Sequence, residues 1–228
     1  MDNGKNLFGY DSLAFFGKVN ASISHELKNV MAIISETAGL LGDLSDLAST
    51  GTPIKPDMLK SCTGSIMEEI QRGFSTIRQM NRFAHSVDTP IESVNLMDVL
   101  DLAITLTNYL SFSGKTHLSP CKDVTPTAST CPFLLQAIIY QALVYAFKTT
   151  GPGATITISL QARDDAAWRI IFSGFNAHAF QKFPDATTRA MAAAIGVVFH
   201  FDSTIDRLEL DVPLTIESTT TQPVAPGV

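Results

Sequence analysis

The stretch KVNASISHELKNVMAIISE, residues 18–36, lies in the segment that decides the fold. From residue 12 to about residue 49, apolar side chains recur every three or four positions, which predicts one long amphipathic helix. The apolar positions are Phe16, Val19, Ile23, Leu27, Val30, Ile34, Leu41, Leu44 and Ala48. The run Ser49-Thr50-Gly51-Thr52-Pro53 has a turn composition and ends the helix.

A second helix with the same spacing is predicted from about residue 56 to residue 85. Its apolar positions are Leu59, Cys62, Ile66, Ile70, Gly73, Ile77, Met80 and Ala84. Two long helices joined by a short loop form an antiparallel hairpin. Because one hairpin cannot bury apolar stripes on both helices, we expect a homodimer in which two hairpins form a four-helix bundle.

The rest of the chain predicts a mixed domain. Residues 91–112 favour a short strand and a helix, and a strand near residues 116–118 lies in a Ser/Thr/Pro-rich loop over residues 111–132. An apolar helix over 133–148 is followed by strands over 155–163 and 168–173, a helix over 186–195, and strands over 197–202 and 205–212. We expect an α+β fold: a helical hairpin over 1–88, an α/β domain over 89–214, and a disordered tail over 215–228.

Composition excludes several classes of protein. Sixteen basic against twenty-two acidic residues give a net charge of −6 without a basic cluster, which argues against a nucleic-acid partner. The three cysteines and five histidines show no metal-ligand spacing, so we expect reduced thiols in a cytoplasmic protein with no metal site. Since we find neither a signal peptide nor an apolar run of about 20 residues, we expect no membrane association.

The string Ser24-His25-Glu26-Leu27-Lys28-Asn29 carries the candidate chemistry. On a helical wheel its apolar neighbours point into the bundle, while Ser22, His25 and Asn29 share the opposite face. His25 is therefore predicted to face solvent on a rigid helix. Taken by itself, such a residue is most simply an ordinary surface histidine.

The same string resembles the phosphoacceptor box of two-component histidine kinases, Ser-His-Glu-Leu-Lys/Arg-Asn/Thr-Pro, on the first helix of a dimerising hairpin. Ser24 through Asn29 match this box, and Val30 stands in place of the final Pro. The resemblance implies that His25 accepts a phosphoryl group and that Glu26 is its acid/base neighbour. It also implies that Asn29 orients a water or the phosphoryl group. The alternatives are that Glu26 is a solvated helix charge and Asn29 a plain surface amide.

Four further residues are candidates for contact with the phosphoryl group or with a partner: Ser22, Lys28, Arg78 and Arg82. If the hairpin loop centres near residue 53, residue 25 lies opposite about residue 81. Both arginines then approach the level of His25, where a guanidinium steadies a phosphoryl group or contacts an acidic partner. The alternative is that they are solvent-facing helix charges.

The second domain resembles the ATP-binding domain of the same kinases in outline but not in its nucleotide-binding residues. Where that family has two Asn residues that hold Mg²⁺ and phosphates, this chain has Gln141 and Tyr145. Where the family has Asp-x-Gly-x-Gly, the run Ser173-Gly174-Phe175-Asn176-Ala177 has no Asp. The glycine-rich lid is replaced by residues 190–196, which contain one glycine. We therefore expect a kinase-like domain that does not bind ATP.

These features together resemble the dimeric, kinase-derived phosphotransferases of bacterial sporulation and cell-cycle phosphorelays. The resemblance implies a histidine phosphotransferase that moves a phosphoryl group between the aspartates of response-regulator receiver domains through His25. It implies no cofactor of the chain's own, since Mg²⁺ is expected on the receiver. The alternatives are a non-catalytic, kinase-like scaffold or inhibitor that binds a kinase or response regulator, and an active kinase with unusual nucleotide boxes.

Overall fold

The computed structural model describes residues 9–108, 114–121, 124–150, 153–164, 166–175, 183–202, 204 and 206–216. The chain forms two compact units. The helical unit comprises the chain up to Asp88 together with Leu102–Phe112, and the sheet unit comprises Thr89–Asp101 and the chain from Ser113 onward. None of the described helices is both long enough and apolar enough to cross a membrane.

Two antiparallel helices make up most of the helical unit, α1 (Tyr10–Ser49) and α2 (Pro56–His85). The loop between them begins with a Schellman motif, in which the Gly51 N–H donates to Ala48 O at 3.0 Å and the Thr52 N–H to Leu47 O at 3.1 Å. Gly51 adopts the left-handed φ of 97° that this motif requires. Pro56 then starts α2 at a position where a missing N–H costs nothing. The predicted hairpin is confirmed.

Phe83 of α2 is fully buried and fixes the pairing of the two helices at one end. Its ring stacks on Phe16 at 5.2 Å and meets Phe15 edge-on at 5.6 Å. Further along, Gly73 lets the helices approach closely, since a Cβ there would lie 3.3 Å from Val30 Cγ1. Within one chain the predicted apolar stripe is buried only in part: Val19, Ile23 and Val30 of α1 are buried, whereas Leu59 and Ile77 of α2 are exposed.

The described part of the sheet unit contains seven strands, three of which are followed directly along the chain by a helix. The elements are β1 (Glu92–Asn95), α3 (Leu96–Asn108), β2 (Lys115–Leu118), β3 (Thr127–Thr130), α4 (Pro132–Thr149), β4 (Thr155–Asp164), β5 (Ala167–Ser173), α5 (Ala186–Ala194), β6 (Val198–Asp202) and β7 (Arg207–Pro213). Five strands form one sheet in the order β2-β4-β5-β7-β6, in which only the β2–β4 pair is parallel. The second half of α3, from Leu102, groups with the helical unit.

Helix α4 is buried along most of its length and is apolar on nearly all sides, as a helix enclosed by protein requires. The core-facing side chains of β4, β5 and β7 alternate with outward-facing ones, which is the period of a strand with one covered face. The buried residues of these strands include Ile156, Ile158, Ile170, Phe172, Leu208 and Leu210. The expected α+β fold, a helical N-terminal region followed by an α/β sheet domain, is confirmed.

Two local predictions need correction. Strand β3 lies within the predicted loop over 111–132 and pairs antiparallel with β1; its sequence Thr-Ala-Ser-Thr lacks the apolar alternation of a strand. Thr215 bridges to Ser129, and the Ile216 N–H donates to Ser129 O at 3.2 Å, so the fold extends past residue 214. The remainder of the predicted tail, 217–228, lies outside the described residues. The helix predicted over 186–195 is confirmed as α5, and residues 190–194, compared above with a glycine-rich lid, belong to it.

Candidate functional site

His25 is an exposed side chain in the first half of α1. The fully buried Ile23 and Val30 anchor the helix on either side of it. Because each residue advances about 100° around a helix, His25 lies roughly 200° from Ile23 and on the solvent side. The structure thus presents the imidazole from a rigid, well-anchored backbone.

Asn29 lies one turn after His25 and is also exposed. Its amide Nδ2 is 3.4 Å from His25 Nδ1, so the imidazole has a polar neighbour on its own helix. Which group of the Asn29 amide faces Nδ1 depends on the tautomer of the His25 ring. The structure therefore brings together two of the three predicted catalytic residues.

Glu26, the third, turns toward the other helix of the hairpin. Its Oε1 accepts hydrogen bonds from Arg72 Nε at 2.8 Å and from Arg72 Nη2. Arg72 Nη1 also donates to the Glu69 carboxylate at 3.2 Å. The hydrogen bond to Glu26 raises the pKa of Arg72, so this guanidinium stays charged. The carboxylate of Glu26 is committed to a cross-helix ion pair, and its side chain is only 17% exposed.

The other predicted contact residues are placed differently. Ser22 is half-buried and Lys28 is exposed. Arg78 comes two residues after the buried Thr76, roughly 200° around α2, and so faces away from α1. Arg82 is next to Phe83, which packs against Phe16, so Arg82 lies roughly 12 Å from His25 along the axis of the hairpin. Its Nη1 donates a hydrogen bond to Gln79 Oε1.

Arg72 is the arginine that the structure places beside the histidine box, and the sequence argument missed it. The sequence prediction instead pairs α1 with α2 about the midpoint of the loop, near residue 53. In the structure, Phe83 contacts Phe16 and Gly73 contacts Val30, so the numbers of paired residues sum to 99 and 103. His25 therefore lies opposite residues 74–78. Side-chain packing along the whole hairpin, which spacing within one helix does not reveal, determines this register.

The sheet unit has an aromatic cluster at Tyr145, a residue that the sequence analysis compared with a metal-binding Asn. The Tyr145 ring stacks on Phe183 at 4.8 Å, and Phe183 meets Phe199 of β6 edge-on at 5.6 Å. Burial raises the pKa of Tyr145, so the phenol stays neutral near pH 7. A neutral phenol in an aromatic stack is a poor ligand for Mg²⁺, which prefers charged oxygen donors.

A charged network on the sheet is a further feature that the sequence argument missed. The carboxylate of Asp211 in β7 is buried and accepts from Arg169 Nε at 2.7 Å and from Arg163. His200 Nε2 lies 2.8 Å from Asp211 Oδ2, and Arg169 also pairs with Glu209 at 2.7 Å. Burial alone would raise the pKa of Asp211, but the hydrogen bond and charge of Arg169 outweigh it and lower that pKa. The network joins four neighbouring strands and stabilises the sheet.

Among the described residues, no group of three His, Cys, Asp or Glu side chains is arranged to hold a metal ion. Two other histidines have acidic neighbours. His85 pairs with Asp88 at 2.7 Å at the end of α2, and His200 belongs to the charged network on the sheet. His178 lies outside the described residues.

No family model matches the chain, and no curated protein matches it significantly. Among solved structures, a histidine kinase from Burkholderia phymatum STM815 is 14% identical, with a TM-score of 0.45 over 88% of this chain and 98% of that one. The ATP-binding domain of PrrB from Mycobacterium tuberculosis is 20% identical, with a TM-score of 0.45 over 55% of this chain and 98% of that one. The Acinetobacter baumannii histidine kinase AdeS is 10% identical, with a TM-score of 0.43 over 85% of this chain and 98% of that one.

Proposed function

We propose that this chain is a histidine phosphotransferase of a two-component phosphorelay, which carries a phosphoryl group between response-regulator aspartates on His25. The observation that carries the proposal is the exposed imidazole of His25, with Asn29 next to its Nδ1, inside a string that matches six residues of a phosphoacceptor box.

The chemistry suits an imidazole on a stiff helix. A neutral imidazole is a nucleophile near pH 7, and the phosphoramidate that it forms can pass its phosphoryl group onward. Transfer then depends on holding the attacking nitrogen, phosphorus and leaving oxygen in line. The receiver supplies the aspartate and its bound Mg²⁺, so the chain has to provide only the positioned histidine and a docking surface.

Dimerisation through the hairpin is the second part of the proposal, and it is supported by apolar side chains that one hairpin leaves in solvent. On α1, Leu27, Met31 and Ile34 share a face, and Met31 is 59% exposed. On α2, Ile70, Phe74 and Ile77 form a matching stripe, in which Phe74 is 54% exposed. These apolar faces of α1 and α2 are available to a second copy of the hairpin.

His25 does not compete with this dimer for surface. It precedes Leu27 by two residues and therefore lies roughly 200° around α1 from the apolar face. A bundle formed through that face leaves the imidazole in solvent, where a receiver can reach it. The same helix thus serves association on one side and phosphoryl transfer on the other.

Loss of nucleotide binding is the third part of the proposal. It is supported by the stack of Tyr145 on Phe183 and by the Ser173 side chain, whose Oγ donates to Thr157 O at 3.5 Å. Neither side chain supplies the carboxylate or amide oxygen that would bind Mg²⁺ or the nucleotide. The phosphoryl group therefore comes from a receiver and not from ATP.

Transfer of radiolabel from purified phospho-receivers tests the proposal. We expect the chain to remove label from at least one receiver of the same genome and to return it to a second, unlabelled receiver. A chain that binds receivers or a kinase without ever carrying label would contradict the proposal and favour the scaffold alternative.

A further inference from the structure

The two nitrogens of an imidazole are not equivalent in group transfer. The attacking nitrogen needs its lone pair, so the proton of the neutral ring must sit on the other nitrogen. The hydrogen-bond partner of one nitrogen decides where that proton resides. The neighbour of Nδ1 therefore decides whether Nε2 of His25 is a nucleophile.

That neighbour in this chain is an amide. Asn29 Nδ2 lies 3.4 Å from His25 Nδ1, whereas the Glu26 carboxylate is held across the hairpin by Arg72, which is itself also bound by Glu69. An amide carries a donor and an acceptor on one flat end and presents either by turning half a revolution about its last bond. With Nδ2 toward the ring, the proton belongs on Nε2; with Oδ1 toward the ring, it belongs on Nδ1.

We propose that Asn29, and not Glu26, is the positioning residue that selects the tautomer of His25, and that the reactive form has Oδ1 of Asn29 accepting from Nδ1–H. This inference rests on the proposed function. In the reactive form the Nε2 lone pair attacks the phosphorus of the aspartyl phosphate. The Nε2–P bond forms as the P–O bond to the aspartate breaks, and the carboxylate leaves with the bonding electron pair.

The hydrogen bond from Nδ1–H of His25 to Oδ1 of Asn29 becomes stronger as the phosphoryl group is transferred. As Nε2 bonds to phosphorus, the ring becomes an imidazolium that keeps its proton on Nδ1 and can only donate there. An acceptor facing Nδ1 thus stabilises the transition state more than the ground state, which is the condition for accelerating a reaction. The reverse transfer regenerates the neutral ring with the proton still on Nδ1.

Nitrogen-15 NMR of the His25 ring, recorded without any receiver in alkaline buffer, tests the tautomer directly. We expect Asn29→Asp, a pure acceptor, to move the ring toward the Nδ1–H form, and Asn29→Ala to shift it away from the wild-type ratio. Asn20→Ala is the matched control, because it removes an amide of the same type from the same helix, five residues before His25. It should leave the spectrum unchanged. Glu26→Gln should also leave it unchanged.

Single-turnover transfer from a phospho-receiver gives the second readout. Losing a hydrogen bond to a charged ring should slow Asn29→Ala by about 10- to 100-fold, and Asn29→Asp should restore most of the wild-type rate. The inference is overturned if the Asn29 variants keep the wild-type tautomer ratio, if Glu26→Gln changes it, or if Asn29→Asp transfers as slowly as Asn29→Ala. A wild type that takes up no phosphate would refute the proposed function instead, and the NMR result would still decide the role of Asn29.

Discussion

Replacing Met31 with Ala or Asp should weaken the proposed dimer without unfolding the hairpin. Full burial of a methionine is worth about 2 kcal/mol relative to exposure, and Met31 is 59% exposed in the single chain. Covering that fraction contributes about 1 kcal/mol per copy, and the symmetry of a dimer doubles it to about 2 kcal/mol. Met31→Ala should therefore raise the dimer Kd about 30-fold, and Met31→Asp, which places a charge in the interface, should raise it much further.

Sedimentation equilibrium across the micromolar range measures this Kd, and far-UV circular dichroism shows whether the helices persist. The matched control is Ala32→Asp, because Ala32 is exposed and lies about 100° further around α1. It introduces the same charge and should leave the dimer intact. A wild type that stays monomeric, or a Met31→Asp chain that associates as tightly as the wild type, would refute the reasoning.

Three further predictions concern the sheet unit. Isothermal titration should detect no saturable ATP binding, and a micromolar Kd would contradict the loss of nucleotide binding. Asp211→Asn should cost about 2 kcal/mol in urea unfolding at pH 7. The pKa of Asp211 is lowered in the folded state. Its stabilising contribution is therefore present above the unfolded-state pKa of about 3.9 and is lost as pH falls through the folded-state pKa. A stability difference between Asp211→Asn and wild type that does not change with pH would contradict this prediction. Gly174→Ala should lower Tm more than its control Gly153→Ala. Both glycines have positive φ, but only at Gly174 would an added Cβ clash with a backbone atom, Thr155 O, at 2.3 Å. Equal losses of Tm would show that the backbone shifts to relieve this clash.

The sequence predicts the parts of this fold that depend on local spacing. Both hairpin helices follow from apolar steps of three and four, and the exposure of His25 follows from its angle to Ile23 on the same helix. The strands β4 and β5 follow from alternation within a few residues. Each of these features is determined by side chains on a single element.

Features that join two elements could not be predicted in this way. The pairing of Glu26 with Arg72 depends on the register of α1 against α2, which aromatic packing around Phe83 sets. Strand β3 is polar and forms because β1 offers it a backbone ladder, as seen in the pairing of Val94 with Ala128. The network around Asp211 draws on four strands, so it is visible only once their order is known.

Mapping the phosphate on the chain tests the central claim most directly. After incubation with a labelled phospho-receiver, we expect acid-labile, base-stable label on the wild type and none on His25→Ala. Because His25 is exposed, that variant should keep its unfolding free energy within about 0.5 kcal/mol. His85→Ala is the matched control, since His85 is also an exposed histidine, 76% accessible at the end of α2, and it should take up label like the wild type. Label that persists on His25→Ala, or a wild type that carries none, would contradict the account.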